Sequence, residues 1–397
     1  MNAHTSITPP ETPYWSAVFS LFMGVTSLIA AEFIPVSLLT PIARDLVITE
    51  GMAGQAVTVV GVFSVLSSLL LAPLAGALDR RHILLSFSLL LVFSNSLVAL
   101  APNYGVLLAG RALLGICVGG FWSLVPSVSL QLVPSRDLPR ALSIVYAGVS
   151  VATILSLPLS SHLGHLVGWR NVFWLATGLG ALTFVWQCVV IPSLPARPGG
   201  SFRNMLALAR CPWVAAGMGG IVFSYGAYHV FFTYLRPFLE QSLALRPDVL
   251  AVVLLAFGVA NCVGTVLAGA ILGRWFRRAL LWVMPAFAAA ALLLLVSPGF
   301  VVNLALVLIW SLLFGFIPVG WSAWIARGLS DQAELAGGLS VALTQFSIGL
   351  VAAVGGLTLD NFGIRGVFPI AALFSLLAML CVWLSFTLYA RQTGRHL

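Results

Sequence analysis

WSAVFSLFMGVTSLIAAEFIPVSLL, residues 15–39, contains one ionisable side chain, Glu32. As a helix, at about 1.5 Å per residue, this run is longer than the ~30 Å hydrocarbon core of a bilayer. It is too long for a barrel strand and does not alternate between apolar and polar residues, so it reads as a membrane-spanning helix. Working outward, similar runs fall at 52–78, 82–101, 104–131, 138–166 and 170–191. A stretch rich in Pro, Gly and Arg, Pro192 to Pro212, interrupts the series. Six further runs follow at 213–236, 248–273, 279–297, 301–326, 339–360 and 366–390. The expected fold is all-α and integral to the membrane, with twelve spans in two pseudo-symmetric six-helix bundles. Residues 1–191 and 213–397 form the bundles, and 192–212 a cytoplasmic linker.

Composition agrees. The 397 residues are 60% hydrophobic and 8% charged, against about 25% charged in an ordinary soluble domain. The net charge of +8 comes entirely from Arg, with no Lys, and the arginines sit in particular loops rather than on a nucleic-acid-binding patch. With no Lys there is no Schiff-base chemistry. Cys117, Cys188, Cys211, Cys262 and Cys381 are scattered without metal or CxxC spacing and read as small packing residues. The polar residues before Pro13 include no Lys or Arg, and the following run lacks a cleavage site, so it reads as a retained first span.

Arginine placement sets the orientation. With both termini and the linker cytoplasmic, the inside carries Arg80, Arg81, Arg136, Arg140, Arg197, Arg203, Arg210, Arg274, Arg277, Arg278, Arg327, Arg391 and Arg395. The outside carries Arg44, Arg170, Arg236, Arg246 and Arg365, and Arg111 lies within a span. That asymmetry favours both ends inside. The halves also repeat. Gly61, Gly76, Arg80 and Arg81 match Gly258, Gly273, Arg277 and Arg278 at one constant offset, and GWRNVF at 168–173 matches GIRGVF at 363–368. Parallel repeats of this kind place a substrate site between the halves and work by rocking.

These residues resemble the major facilitator superfamily over essentially the whole chain. GALDRR, Gly76 to Arg81, resembles its loop signature after span two, without the usual second Gly and its basic partners. GRALLG, Gly110 to Gly115, resembles the span-four signature of the proton-coupled members, with Arg111 at their intramembrane arginine. In span five, Leu157-Pro158 and Ser160-Ser161 stand where antiporters carry Gly-Pro and paired glycines. A closer likeness is to bacterial purine ribonucleoside efflux pumps. WSAVFS at 15–20, EFIPVSLLTPIARDL at 32–46, GGFW at 119–122, FFTYLRP at 231–237 and PVGWSAWIARGLSDQAELAGG at 318–338 carry it. The resemblance implies a secondary exporter of nucleoside-like molecules in the cytoplasmic membrane, coupled to protons. Sugar or multidrug efflux and uncoupled facilitation are the alternatives. It also implies that Asp79, with Arg80 and Arg81, acts as a conformational latch.

Glu32 is the one carboxylate well inside an apolar run, and counting from the outer ends of spans one and four puts it and Arg111 each roughly 10 Å deep. The two are expected to meet, either as a proton site or as a fixed ion pair. Tyr225, His229, Phe232, Thr233 and Arg236 share one face of span seven. This polar and aromatic stripe suits a nucleoside, as contacts to substrate or as ordinary buried groups. Trp310 and Trp321 in span ten, and Phe121 and Trp122 in span four, are candidate cavity walls. Asn261 and Gln345 either touch substrate or join helices. The chain has no GxxxxGK[ST] loop, HExxH or GxSxG elbow. No enzyme activity, cofactor or metal is therefore expected. The expected partners are a nucleoside-like small molecule, protons and membrane lipid, with no nucleic acid, and the expected state is a monomer.

Overall fold

The computed structural model describes residues 12–48, 50–196, 202–232, 235, 238–239, 243, 245, 247–296 and 299–394. Among these the secondary structure is helical, without strands. The helices α1 (Trp15–Asp45), α2 (Glu50–Ala75), α3 (Arg80–Ala99), α4 (Tyr104–Leu132), α5 (Leu138–Val167) and α6 (Trp169–Val190) correspond to the first six runs. A short helix, α7 (Phe202–Arg210), lies within the expected linker. Then come α8 (Pro212–Phe232), α9 (Pro247–Val296), α10 (Phe300–Phe314), α11 (Phe316–Gly328), α12 (Ala333–Phe362) and α13 (Val367–Thr393).

Two boundaries differ from the sequence reading. The eighth and ninth runs are two helices that meet directly at a kink at Trp275, where φ is −129° and ψ 39°, and they are labelled together as α9. The tenth run is one apolar stretch, Phe300–Gly328, interrupted at Gly315 between α10 and α11. The twelve expected spans all have helical counterparts among the described residues. Large apolar side chains face outward along them, for example Leu182, Val185, Val189 and Trp282. In water so much exposed apolar surface would drive aggregation, whereas hydrocarbon solvates it.

The chain divides into two compact units, Met1–Gly200 with Ile325–Gly338, and Ser201–Trp324 with Leu339–Leu397. In the first, α1 packs on α5 and α6, α2 on α4, and α3 on α4 and α6. In the second, α8 packs on α13, and α9 on α10 and α13. The pairings of spans one with six, two with four and three with six thus recur as seven with twelve, eight with ten and nine with twelve. The repeated GWRNVF and GIRGVF stretches recur in conformation as well, since Gly168 and Gly363 both have positive φ, 82° and 69°. A side chain at either would be strained.

Glycine also sets the closest helix approaches in both units. A Cβ on Gly119 of α4 would lie 2.1 Å from the Ser64 carbonyl oxygen of α2, and one on Gly264 of α9 would lie 1.9 Å from that of Leu312 in α10. Gly61 has open space around its Cβ position. Gly119→Ala and Gly264→Ala are therefore each expected to destabilise by about 1–3 kcal/mol, and Gly61→Ala to leave stability unchanged. Thermal midpoints in detergent, read by size-exclusion chromatography, check this ranking.

Candidate functional site

In the first unit the decisive residue is Arg111, whose exposure is 1%. Its Nη1 donates to the Ala31 carbonyl at 2.7 Å, Nη2 to the Glu32 carbonyl at 3.1 Å and Nε to the Ala56 carbonyl at 3.0 Å. The first of these follows from the sequence of α1. Pro35 stands four residues after Ala31 inside the helix, and proline has no N–H to give to the i−4 carbonyl. The Ala31 oxygen is thus left without its helical donor, and the guanidinium supplies one.

The expected meeting of Glu32 and Arg111 takes a different form. Arg111 grips the backbone of Glu32, not its carboxylate. The described ion pairs are Arg80–Glu334, Arg136–Asp137 and Arg170–Asp45, and Glu32–Arg111 is not among them. The carboxylate is half-buried and within electrostatic reach of the guanidinium. Further along α4, Trp122 stacks on Tyr146 of α5 with ring centroids 5.0 Å apart, while Phe121 is buried beside Gly24 of α1.

The loop between α2 and α3 carries a second buried cation in this unit. Arg80 donates from Nε and Nη2 to the two carboxylate oxygens of Glu334, both at 2.6 Å, and from Nη1 to the Gly76 and Leu78 carbonyls. Asp79 caps α3 by accepting from the Arg81 N–H at 2.8 Å. It also accepts from the Leu194 N–H at 2.8 Å and from the Ser193 hydroxyl. Burial favours its neutral form, but the hydrogen bonds from Ser193, Leu194 and Arg81 and the nearby His82 outweigh this and hold the carboxyl below its ordinary value. Asp79 therefore stays ionised at neutral pH. Arg81 reaches the Cys188 carbonyl at 2.8 Å, so the Asp79–Arg81 loop fastens the end of α6 and the segment after it.

In the second unit His229 sits among aromatic rings. Tyr225 lies parallel to it at 6.3 Å between centroids, and Tyr228, Phe232 and Phe314 present edges or faces at 5.0, 6.0 and 6.0 Å. Phe314 of α10 also stacks on Tyr228. Tyr228 and Phe314 were not among the expected site residues, although Tyr228 is three residues from Tyr225 and four from Phe232, the same helical spacing. Thr233 and Arg236 lie outside the described residues.

The other candidates are placed as follows. Trp310 is wholly buried against Phe231 and Phe287, a packing position within its unit. Trp321 is buried and donates from Nε1 to the Ser224 hydroxyl at 2.8 Å. Trp324 is 1% exposed and packs on Trp213 and Trp321, because Gly217 leaves room for its ring. Asn261 donates to the Ser311 carbonyl at 3.2 Å and so joins α9 to α10. Gln345 is half-buried on α12.

Two helical units with lipid-facing apolar surfaces, and charged groups buried within the first, define a multi-pass membrane transporter. The chain belongs to the major facilitator superfamily, whose family description, Major Facilitator Superfamily, matches residues 14–339. It is 43% identical over 371 residues to the purine ribonucleoside efflux pump NepI of Salmonella typhimurium (strain LT2), covering 93% of this chain and 94% of the relative. The protein of that name from Salmonella typhi matches equally. Among solved structures, the human organic anion transporter MFSD10 (TETRAN) superposes with TM-score 0.71 at 18% identity, covering 94% of this chain and 100% of that one. The proton:xylose symporter XylE bound to 6-bromo-6-deoxy-D-glucose superposes with TM-score 0.72 at 15% identity, covering 93% and 95%. These two establish the likeness of fold.

The link between Pro35 and Arg111 can be tested by a double-mutant cycle. Arg111→Ala leaves the buried Ala31 carbonyl without a donor, at about 1–3 kcal/mol. In a Pro35→Ala background the helix itself supplies an N–H to the Ala31 oxygen, so the same substitution should be milder, with a coupling of about 0.5–3 kcal/mol. Unfolding of the four proteins in detergent measures it, and an equal penalty in both backgrounds contradicts the assignment.

Proposed function

We propose that this chain exports purine ribonucleosides or close analogues across the cytoplasmic membrane by proton antiport, with both termini inside. The observation that carries this reading is the 43% identity, sustained over 93% of the chain, to pumps named for that substrate. The aromatic surround of His229 suits the substrate's chemistry. A purine ring stacks on aromatic faces, while an imidazole and tyrosine hydroxyls hydrogen-bond ring nitrogens and ribose hydroxyls.

Glu32 is the proton carrier in this scheme. Because Arg111 is satisfied by backbone carbonyls, the carboxyl is not tied up in an ion pair and is available to gain and lose a proton. In the cycle, Glu32 takes a proton from outside, the halves 1–191 and 213–397 rock inward about the linker 192–212, and substrate displaces the proton before they rock back. Asp79, Arg80 and Arg81 serve as the latch, with Glu334 as the partner of Arg80 whose bond holds one state.

Proteoliposomes carrying a pH-sensitive dye test the proposal. Inosine should evoke proton flux with the native protein and none with Glu32→Gln, which should still bind inosine. His229→Ala should weaken inosine binding about tenfold, or ~1.4 kcal/mol. Inosine movement without proton flux would identify an uncoupled facilitator. Movement of arabinose or a cationic dye, with none of inosine, would identify sugar or drug efflux.

A further inference from the structure

The arginine-rich end of the second unit has a consequence separate from transport chemistry. A groove of about 270 Å³ runs between α9 and α13, lined by Arg277, Trp383, Leu384, Thr387, Leu388, Ala390 and Arg391. Its walls are mostly apolar, and its two arginines stand at the helix ends. Trp383 is half exposed at 49%, so the groove opens on the side where lipid lies. Arg274 and Arg278 flank the ring of Trp275 at 5.7 and 4.9 Å, one turn along the same helix, and Trp275 is itself exposed.

Charge at this end is one-sided. None of Arg274, Arg277, Arg278 and Arg391 forms an ion pair among the described residues. By chain position, Asp248 and Asp360 of this unit fall at the beginning of α9 and the end of α12. Arg277 is about 40 Å of helix away from Asp248. Asp360 adjoins the start of α13, whereas Arg391 is in its last turn. Among the described residues the two cations bordering this apolar channel form no ion pair, and a molecule with a phosphate at one end and a hydrocarbon chain at the other matches both features.

We propose that this groove is a binding site for an anionic phospholipid, its phosphate held by Arg277 and Arg391 and one acyl chain lying along Trp383, Leu384 and Leu388. The site depends on the protein's residence in a membrane and is independent of the transported substrate.

Native mass spectrometry of the full-length protein, released from detergent after incubation with phosphatidylglycerol or phosphatidylcholine of identical acyl chains, tests this. The native protein should retain phosphatidylglycerol preferentially, and R277A/R391A should reduce that preference by about thirtyfold. R44A/R365A, which removes the same charge from exposed positions elsewhere, should leave it unchanged. Leu388→Trp, which fills the groove and keeps both arginines, should also abolish retention and decides the matter if the double alanine variant does not fold. Equal retention of the two lipids, or preference surviving in both R277A/R391A and Leu388→Trp, overturns the proposal. Displacement of the lipid by excess inorganic phosphate alone would show a free-anion site and also overturn it.

Discussion

A guanidinium held away from water by helix carbonyls is the constraint on which the first unit depends. Arg111 is almost wholly buried, and an ion in such surroundings is tolerable only if its donors are met. The molecule meets them with backbone oxygens of α1 and α2, one of which is available because Pro35 has removed its usual partner. The cation therefore fixes three helices, α1, α2 and α4, at one point, without neutralising the nearby acid. Had a carboxylate been used instead, Glu32 would be a structural counter-ion.

The other buried cation in this unit is handled differently. Arg80 is bound by both oxygens of Glu334, a bidentate pair that adds direction to charge. Breaking such a pair leaves an uncompensated buried ion, so it resists partial separation and favours an all-or-none change. In contrast, the carbonyl cradle of Arg111 involves no titratable partner. In the proposed cycle the first arrangement holds a state and the second leaves a proton site free. Within each unit, close glycine contacts, at Gly119 in the first and Gly264 in the second, bring helix backbones together where hydrocarbon solvent supplies no hydrophobic drive.

Much of the fold was legible in the sequence because span length follows from the thickness of the bilayer and the internal repeat shows in matched residues of the two halves. The repeat even foretold conformation, since the glycines opening GWRNVF and GIRGVF share a positive φ. That the two helices of α9 meet at a kink at Trp275 rather than through a loop was not legible, because a basic stretch between two apolar runs is compatible with either. Within the site, span depth correctly put Arg111 beside Glu32, but the choice of backbone over carboxylate depended on Pro35. Glu334 as the partner of Arg80 was invisible in the sequence, being 254 residues away. Phe314 reaches His229 from another helix, which no spacing within α8 could reveal.

The central claim is that Arg111 leaves Glu32 free to exchange a proton that substrate displaces. Infrared difference spectroscopy of the protein in lipid tests it most directly, because a protonated carboxyl has a carbonyl stretch that a carboxylate lacks. The account predicts a band in the substrate-free protein that is absent in Glu32→Gln and disappears from the native protein on adding inosine at constant pH. A band assigned to Glu32 that inosine leaves unchanged, or the absence of any such band at every pH, would contradict it.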